Sequence, residues 1–530
     1  MIIPLLLCSS ALKTIVIAEV TLDDWPQTRA ERTSYAETSS YADVISFING
    51  LQAQGAPISL IYMGESTEKR QMPLVIASRP AISTPAEARR SGKPIIYIQA
   101  NIHAGEVEGK EAAMQLLREW CKEQKGILDK SIVLMTPIYN IDGNEKLGPQ
   151  ERNRPGQDGP AQVGVRANGQ NLDLNRDCIK AETPEMRAIL EHVYGKWDPD
   201  VVVDIHTTNG TRHGYDLTYS PPLNPNTDPD VMKYTRDELL PSVRKELKKK
   251  FGSELFDYGN AQNEQWFTFG QEGRYVTNYA GLRNRIAVLS EATVYMSFKD
   301  RVVTTERFVQ SVMDQLTRNP RKIVDLTRRA DLRTISWGQD PSKAPELGVR
   351  FDFAQRGTED VLLEKPPAEG APRPRGRPKD IVSVKMPIND RFKSVRTAKF
   401  PSAYLVPASE TAAIELLKRH GVVVEKFLEP WSGQAEEFSI SEAAMDAQPF
   451  QGHRLVRLEG KFSMANMAAE PGSYLVRTAQ PLGVLAFYML EPEGLDGVMS
   501  WGFLSKPPEA NSVFPIRKIF AGPKVATQRL

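Results

Sequence analysis

The sequence predicts an α/β fold, a mostly parallel mixed sheet with helices on both faces, followed by a smaller strand-rich α+β domain. Three observations point there. From about Ser34 to Arg328, apolar runs of strand length alternate with helical patterns. Those runs are almost continuously apolar, as strands covered on both faces require, and do not alternate with polar residues. A proline- and arginine-rich stretch then interrupts the chain, and strand-like segments dominate beyond it.

Pro94 to Ala100 is the first clear buried strand. A helix follows, with Ala112, Ala113, Leu116, Leu117 and Trp120 forming one stripe at helical spacing. Ser131 to Ile138, Val201 to Ile205 and Arg285 to Leu289 are three further strands of the same kind. Lys365 to Asp380, KPPAEGAPRPRGRPKD, lacks large apolar residues and suits an exposed linker or long loop. Beyond it, Ala398 to Pro407 and Ser473 to Leu490 read as strand-like, and Glu410 to His420 as a helix stopped by Gly421. The division expected is a catalytic domain over 19–330, a connecting segment over 331–380 and a C-terminal domain over 381–530.

Composition narrows the function. With 67 basic against 66 acidic residues the net charge is +1, which gives no basis for nucleic acid or an anionic membrane as partner. Three cysteines, Cys8, Cys121 and Cys178, without a CxxC pair exclude a disulfide framework and a cysteine-rich zinc module. The first 18 residues read as an export signal cleaved after Ala18, implying a periplasmic or secreted protein, with a cytoplasmic one as the alternative. Lys13 breaks the apolar stretch, which is too short to span a membrane.

Three polar clusters stand just past predicted parallel strands, where open α/β sheets bind ligands. The first is Asn101-Ile102-His103-Ala104-Gly105-Glu106, in which an imidazole and a carboxylate three apart can turn toward one point. HxxE alone is common on solvated helix faces, but this one lies between a buried strand and an amphipathic helix. The second is Asp204-Ile205-His206-Thr207-Thr208. A histidine so placed is ordinarily a core residue bonded to a backbone carbonyl. The chain has only six histidines, however, and two of them end strands near carboxylates. His103, Glu106 and His206 together make an open three-ligand zinc site with the fourth position free for water. The third cluster, Leu289-Ser290-Glu291-Ala292-Thr293, supplies a carboxylate outside the ligand set, Glu291, suited to general-base work.

HAGE, LDLNRD, DIHTT and LSEAT in this order resemble the zinc carboxypeptidase family related to carboxypeptidase A, and more narrowly its bacterial members with an additional C-terminal domain. The resemblance covers about Ser34 to Arg328. It implies one Zn2+ per chain, held by His103, Glu106 and His206, with Glu291 as base. It also implies that Asn175 and Arg176 hold the substrate's terminal carboxylate and that Asp173 orients the first zinc histidine. An arginine that polarises the scissile carbonyl belongs near Glu151-Arg152-Asn153-Arg154, and Arg154 is taken over Arg152. A substrate-binding tyrosine is expected upstream of Glu291; Tyr279 is taken, with Tyr275 competing. His213 is kept as a further substrate contact, whereas His192 and His420 read as structural and His453 has no partner pattern. Cleavage of C-terminal residues from peptides is therefore expected. The alternatives are a zinc deacylase of N-acyl amino acids and a non-catalytic binding protein on a peptidase fold.

Overall fold

The structure is a computed structural model that describes residues 25–208, 210–367 and 376–530. The expected export signal and the middle of the proline- and arginine-rich stretch lie outside the described residues.

The main sheet has eight strands: β1 Ile58–Glu65, β2 Gln71–Ala77, β3 Ile95–Ala100, β4 Ile132–Thr136, β5 Val201–Thr208, β6 Leu217–Ser220, β7 Leu255–Asp257 and β8 Ile286–Thr293. Their spatial order is β1-β2-β4-β3-β5-β8-β6-β7. The four central strands, β4, β3, β5 and β8, are mutually parallel. β1 and β2 close one side antiparallel, while β6 is antiparallel to β8 and parallel to β7. The central strands are the four apolar runs of the sequence, and every residue of β3, β4 and β5 is buried. Each fully buried Val, Leu or Ile contributes about 1.5–3 kcal/mol, so these strands form a stiff base for whatever their ends carry.

Helix α1, Glu108–Lys122, carries the predicted stripe and returns the chain from β3 to β4. It lies so close to the sheet that a Cβ at Gly109 would come within 2.6 Å of Ile205 Cγ2, so only glycine fits there. The chain next crosses to β5 on the other side of β3, and this reversal leaves a crevice at the carboxyl ends of β3 and β5. Helices Phe298–Arg318 and Pro320–Gln339 follow β8. Among the described residues, no helix is long and apolar enough to cross a membrane.

The described flanks of the proline- and arginine-rich stretch lie side by side. Gly357–Glu364 and Ile381–Asn389 pair antiparallel with each other, and Lys365 N–H donates to the Asp380 carbonyl at 2.8 Å. Composition reports exposure, which a loop and a linker share. Ile381–Asn389 also pairs parallel with Gln265–Phe267, so residues just after 380 join strands from before the stretch. A seven-stranded sheet begins at Ala403 and includes the long hairpin Trp431–Met445 and Val456–Ala469. One hydrophobic cluster runs from Val44 through the main sheet to Phe487, Trp501 and Ile516, so the C-terminal residues share the core.

Candidate metal centre

β3 ends at Ala100, and Asn101 takes a left-handed backbone with φ 64°, which Asn tolerates better than most residues. That turn carries His103 over the end of the sheet. A further turn, with Glu106 N–H donating to the His103 carbonyl at 2.9 Å, brings the carboxylate back beside the imidazole. His206 and Glu291 lie inside their strands, because β5 runs to Thr208 and β8 to Thr293, past the ends expected from apolarity. They are register partners on adjacent parallel strands and therefore project from the same face.

The three residues converge. His103 Nδ1 and His206 Nδ1 each stand 3.0 Å from a different oxygen of Glu106, and one ligand atom from each residue lies within 4.8 Å of the others. All three side chains are buried. The outward nitrogens are occupied: His103 Nε2 is 3.0 Å from Asp173 Oδ1, and His206 Nε2 is 2.9 Å from Asp204 Oδ2. Carboxylates at Nε2 favour the proton there, so that on deprotonation the Nδ1 lone pairs face the common point, as metal-binding histidines require. Two imidazoles and a carboxylate in this arrangement fit zinc.

Electrostatics separates the two glutamates. Burial alone would raise Glu106, but the Arg154 guanidinium and His103 hold it well below the usual carboxylate range. Glu291 is pushed up to about 8, mainly by burial and further by Glu106, against the pull of His206 and Arg154. His206 is raised well above its ordinary value: burial opposes the proton, but Asp204 and Glu106 favour it more.

A cavity of about 210 Å³ joins these residues to Asn175, Arg176, Arg154, Tyr275, Val276 and Thr277. Asn175 Oδ1 accepts from Val276 N–H at 3.2 Å, and the Arg176 guanidinium lies 4.6 Å over the Tyr275 ring. Asp173 accepts from Asn175 N–H at 2.9 Å in addition to holding His103.

Several expected contacts fall elsewhere. Tyr279 is fully buried inside helix Val276–Leu282, its hydroxyl 2.7 Å from His420 Nδ1, so it cannot reach the cleft. Tyr275, just before that helix, lines the cleft in its place. His213 is also no substrate contact: it is buried, accepts from Tyr215 N–H at 3.2 Å and packs on Tyr215 and Trp266. His453, which showed no partner pattern, meets Glu182 at 2.8 Å. Arg152 points to Asn153, whereas Arg154 is buried, donates to the Thr207 carbonyl and pairs with Glu106 at 3.1 Å.

Two further residues support the site without a role expected from sequence. Asp204 stands two before His206 on one strand and so shares its face, a signal present in the sequence itself. Arg166 carried no such mark. Its Nε and Nη2 bind Asp173 Oδ2 at 3.0 and 2.8 Å, and its Nη1 comes within 3.3 Å of His103 Nδ1 from a half-exposed position at the rim.

Residues 44–316 match the family described as zinc carboxypeptidase, peptidase M14. Carboxypeptidase 2 of Trichophyton rubrum is 23% identical over 479 residues, covering 86% of this chain and 81% of its own. Carboxypeptidase D of Anas platyrhynchos is 25% identical over 258 residues, covering 43% of this chain and 17% of its own. Among solved structures, a metallo-carboxypeptidase from Pseudomonas aeruginosa is 18% identical with a TM-score of 0.40, covering 55% of this chain and 70% of that one.

Proposed function

The chain belongs to the zinc carboxypeptidase family and is a peptide hydrolase; from that premise we propose that it removes C-terminal residues from peptides, with one zinc per chain held by His103, Glu106 and His206. The observation that carries this reading is that the three donors, Glu291 and Arg176 all face one small cleft. When bound there, zinc supplies Lewis acidity toward the scissile carbonyl and makes a bound water a nucleophile near neutral pH. The remaining work belongs to the chain. Glu291 takes the proton of the attacking water and returns it to the leaving amine. Arg176, with Asn175, holds the free carboxylate of the terminal residue, for which a planar guanidinium suits a bidentate grip. The Tyr275 ring, 4.6 Å from the Arg176 guanidinium, borders that group from the same side.

For the guanidinium that stabilises charge on the scissile carbonyl oxygen we propose Arg166 over Arg154. Arg154 is already engaged by the Thr207 carbonyl and Glu106 beneath the ligands, whereas Arg166 reaches the ligand set from the open rim. Every residue named lies within 19–330, which supports treating that span as the catalytic unit and 381–530 as an accompanying one. The apolar N-terminal stretch supports export.

The test combines metal analysis with a substrate panel. Purified protein should carry about one zinc per chain, lose hydrolysis on chelation and recover it with zinc. Free-acid peptides should be cleaved in preference to N-acyl amino acids. Faster turnover of the acyl amino acids would favour the deacylase reading, and full activity without metal would end both.

A further inference from the structure

The carboxylate side of the cleft is built from two segments with little regular structure of their own, and residues from the C-terminal unit grip both. The first segment carries Asp173, Asn175 and Arg176, with one short 3-10 turn at Leu174–Arg176. The second leads through Gly273, Arg274 and Tyr275 into the helix at Val276. The Arg176 guanidinium over the Tyr275 ring joins them across the cleft.

On the first segment, Gln451 Oε1 accepts from Asp173 N–H at 2.9 Å. Gln451 sits with φ 50° in the loop of the long C-terminal hairpin. It therefore holds the backbone of the residue that binds both His103 and Arg166. Further along, His453 from the same loop meets Glu182, and His420 Nε2 stands 2.8 Å from the Ile179 carbonyl.

On the second segment, the grip centres on Asp496, a fully buried carboxylate. Asp496 Oδ2 accepts from Arg274 N–H at 2.7 Å, and Oδ1 accepts from Trp501 Nε1–H at 2.8 Å and lies 2.9 Å from Arg274 Nε. The Arg274 guanidinium lies 5.2 Å from the Phe450 ring centre and 5.0 Å from that of Trp501. Gly273 N–H donates to the Tyr488 hydroxyl at 2.8 Å, and a Cβ there would come within 2.9 Å of the Tyr488 ring. Backbone amides on either side of the cleft, at Asp173, Gly273 and Arg274, thus find their acceptors on the C-terminal unit.

We propose that Gln451 and Asp496 are positioning residues for substrate binding: the C-terminal unit is a fixed wall that sets Arg176 against Tyr275 to receive the terminal carboxylate. This rests on the carboxypeptidase reading above. Neither residue lines the cleft, so both act through the segments they hold. A misplaced carboxylate anchor weakens substrate binding before it harms the chemistry.

The test uses the full-length, zinc-loaded enzyme and a free-acid peptide. Gln451→Ala and Asp496→Asn should each raise KM about fivefold or more, with kcat within about twofold and zinc content unchanged. Gln451→Glu, which keeps an acceptor oxygen at the same reach, should stay within about twofold of the wild-type KM. Hydrogen exchange should quicken over 173–176 in Gln451→Ala and over 273–276 in Asp496→Asn. If Asp496→Asn fails to fold, the two Gln451 variants decide. An unchanged KM in Gln451→Ala, or a fall in kcat alone, overturns the proposal. A wild type inactive on peptides would instead defeat the carboxypeptidase reading, and exchange rates unchanged by Gln451→Ala would still overturn the clamp.

Discussion

Asp204 Oδ2 lies 2.9 Å from Nε2 of His206, two residues further along the same buried strand, and this contact turns the histidine's Nδ1 toward Glu106. Gln99 on the neighbouring strand donates to the other Asp204 oxygen at 3.0 Å, so the carboxylate is itself held in place. The strand's period of two makes this pairing automatic once His206 faces the crevice.

Asp204→Asn keeps the shape but removes the charge that favours Nε2–H. Zinc affinity should fall roughly 10–100-fold, measured by competition with a chelator, while the fold is retained. Unchanged affinity would mean that His206 needs no help from this carboxylate.

Glu291→Gln preserves size and hydrogen bonding and removes the proton acceptor proposed beside His206. Turnover at saturating substrate should drop by at least about 100-fold with zinc still bound. Retained turnover in the zinc-loaded variant would move the base to another carboxylate.

Zinc uptake should depend on pH. In the metal-free protein Asp204 and Glu106 raise His206 well above its ordinary value, and burial pushes Glu291 up to about 8, so the free site favours the protonated form of each. A ligating imidazole must be neutral, and zinc's charge favours an ionised Glu291 nearby. The zinc-bound form therefore holds fewer protons, and raising pH favours it. Affinity should increase between about pH 6 and 8, with calorimetric heats that vary with the buffer's ionisation enthalpy. A flat pH profile would count against protonated ligands in the free site.

Much of this site is legible in the chain, and what is not has physical causes. The four central strands announce themselves as apolar runs, but His206–Thr208 is polar and Ala292 is flanked by Glu291 and Thr293, so the membership of these ends in the ladder shows only in the register. The candidate metal ligands stand in recognisable order because each ends or follows such a strand. Tyr275 and Tyr279 are four apart and indistinguishable by spacing. What separates them is the start of a helix at Val276, which turns Tyr279 into the core. Arg166 reaches Asp173 through a loop without periodicity, and no local pattern records that reach. The grip of Asp496 on Arg274 spans 222 positions, and local sequence patterns do not encode pairings at such a distance.

Arg166 and Arg154 should separate by what their loss does. Arg166→Ala, removing a rim donor from the developing oxyanion, should lower kcat about 100-fold or more in zinc-replete enzyme. Arg154→Ala leaves the buried Glu106 without its cation and should show first as weaker zinc retention and a lower Tm. The opposite pattern would return the carbonyl role to Arg154.

Arg176 distinguishes exopeptidase action from amide hydrolysis in general. If its guanidinium binds the terminal carboxylate, Arg176→Ala should chiefly raise KM on free-acid peptides, with any fall in kcat reflecting misplacement of the scissile bond. A hydrogen bond to a charged group is worth about 1.5–3 kcal/mol, which at about 1.4 kcal/mol per tenfold is roughly a 10–100-fold effect. Arg176→Lys keeps the charge but loses the planar fork and its stacking on Tyr275, so it should recover only part of that. C-terminally amidated peptides should already be poor substrates of the wild type and lose little more on mutation, because the group Arg176 recognises is gone. The measurement is kcat/KM for a free-acid peptide and its amide with wild type and both variants. Equal cleavage of the two peptides by the wild type would remove the carboxylate from recognition and leave Arg176 as a structural partner of Tyr275.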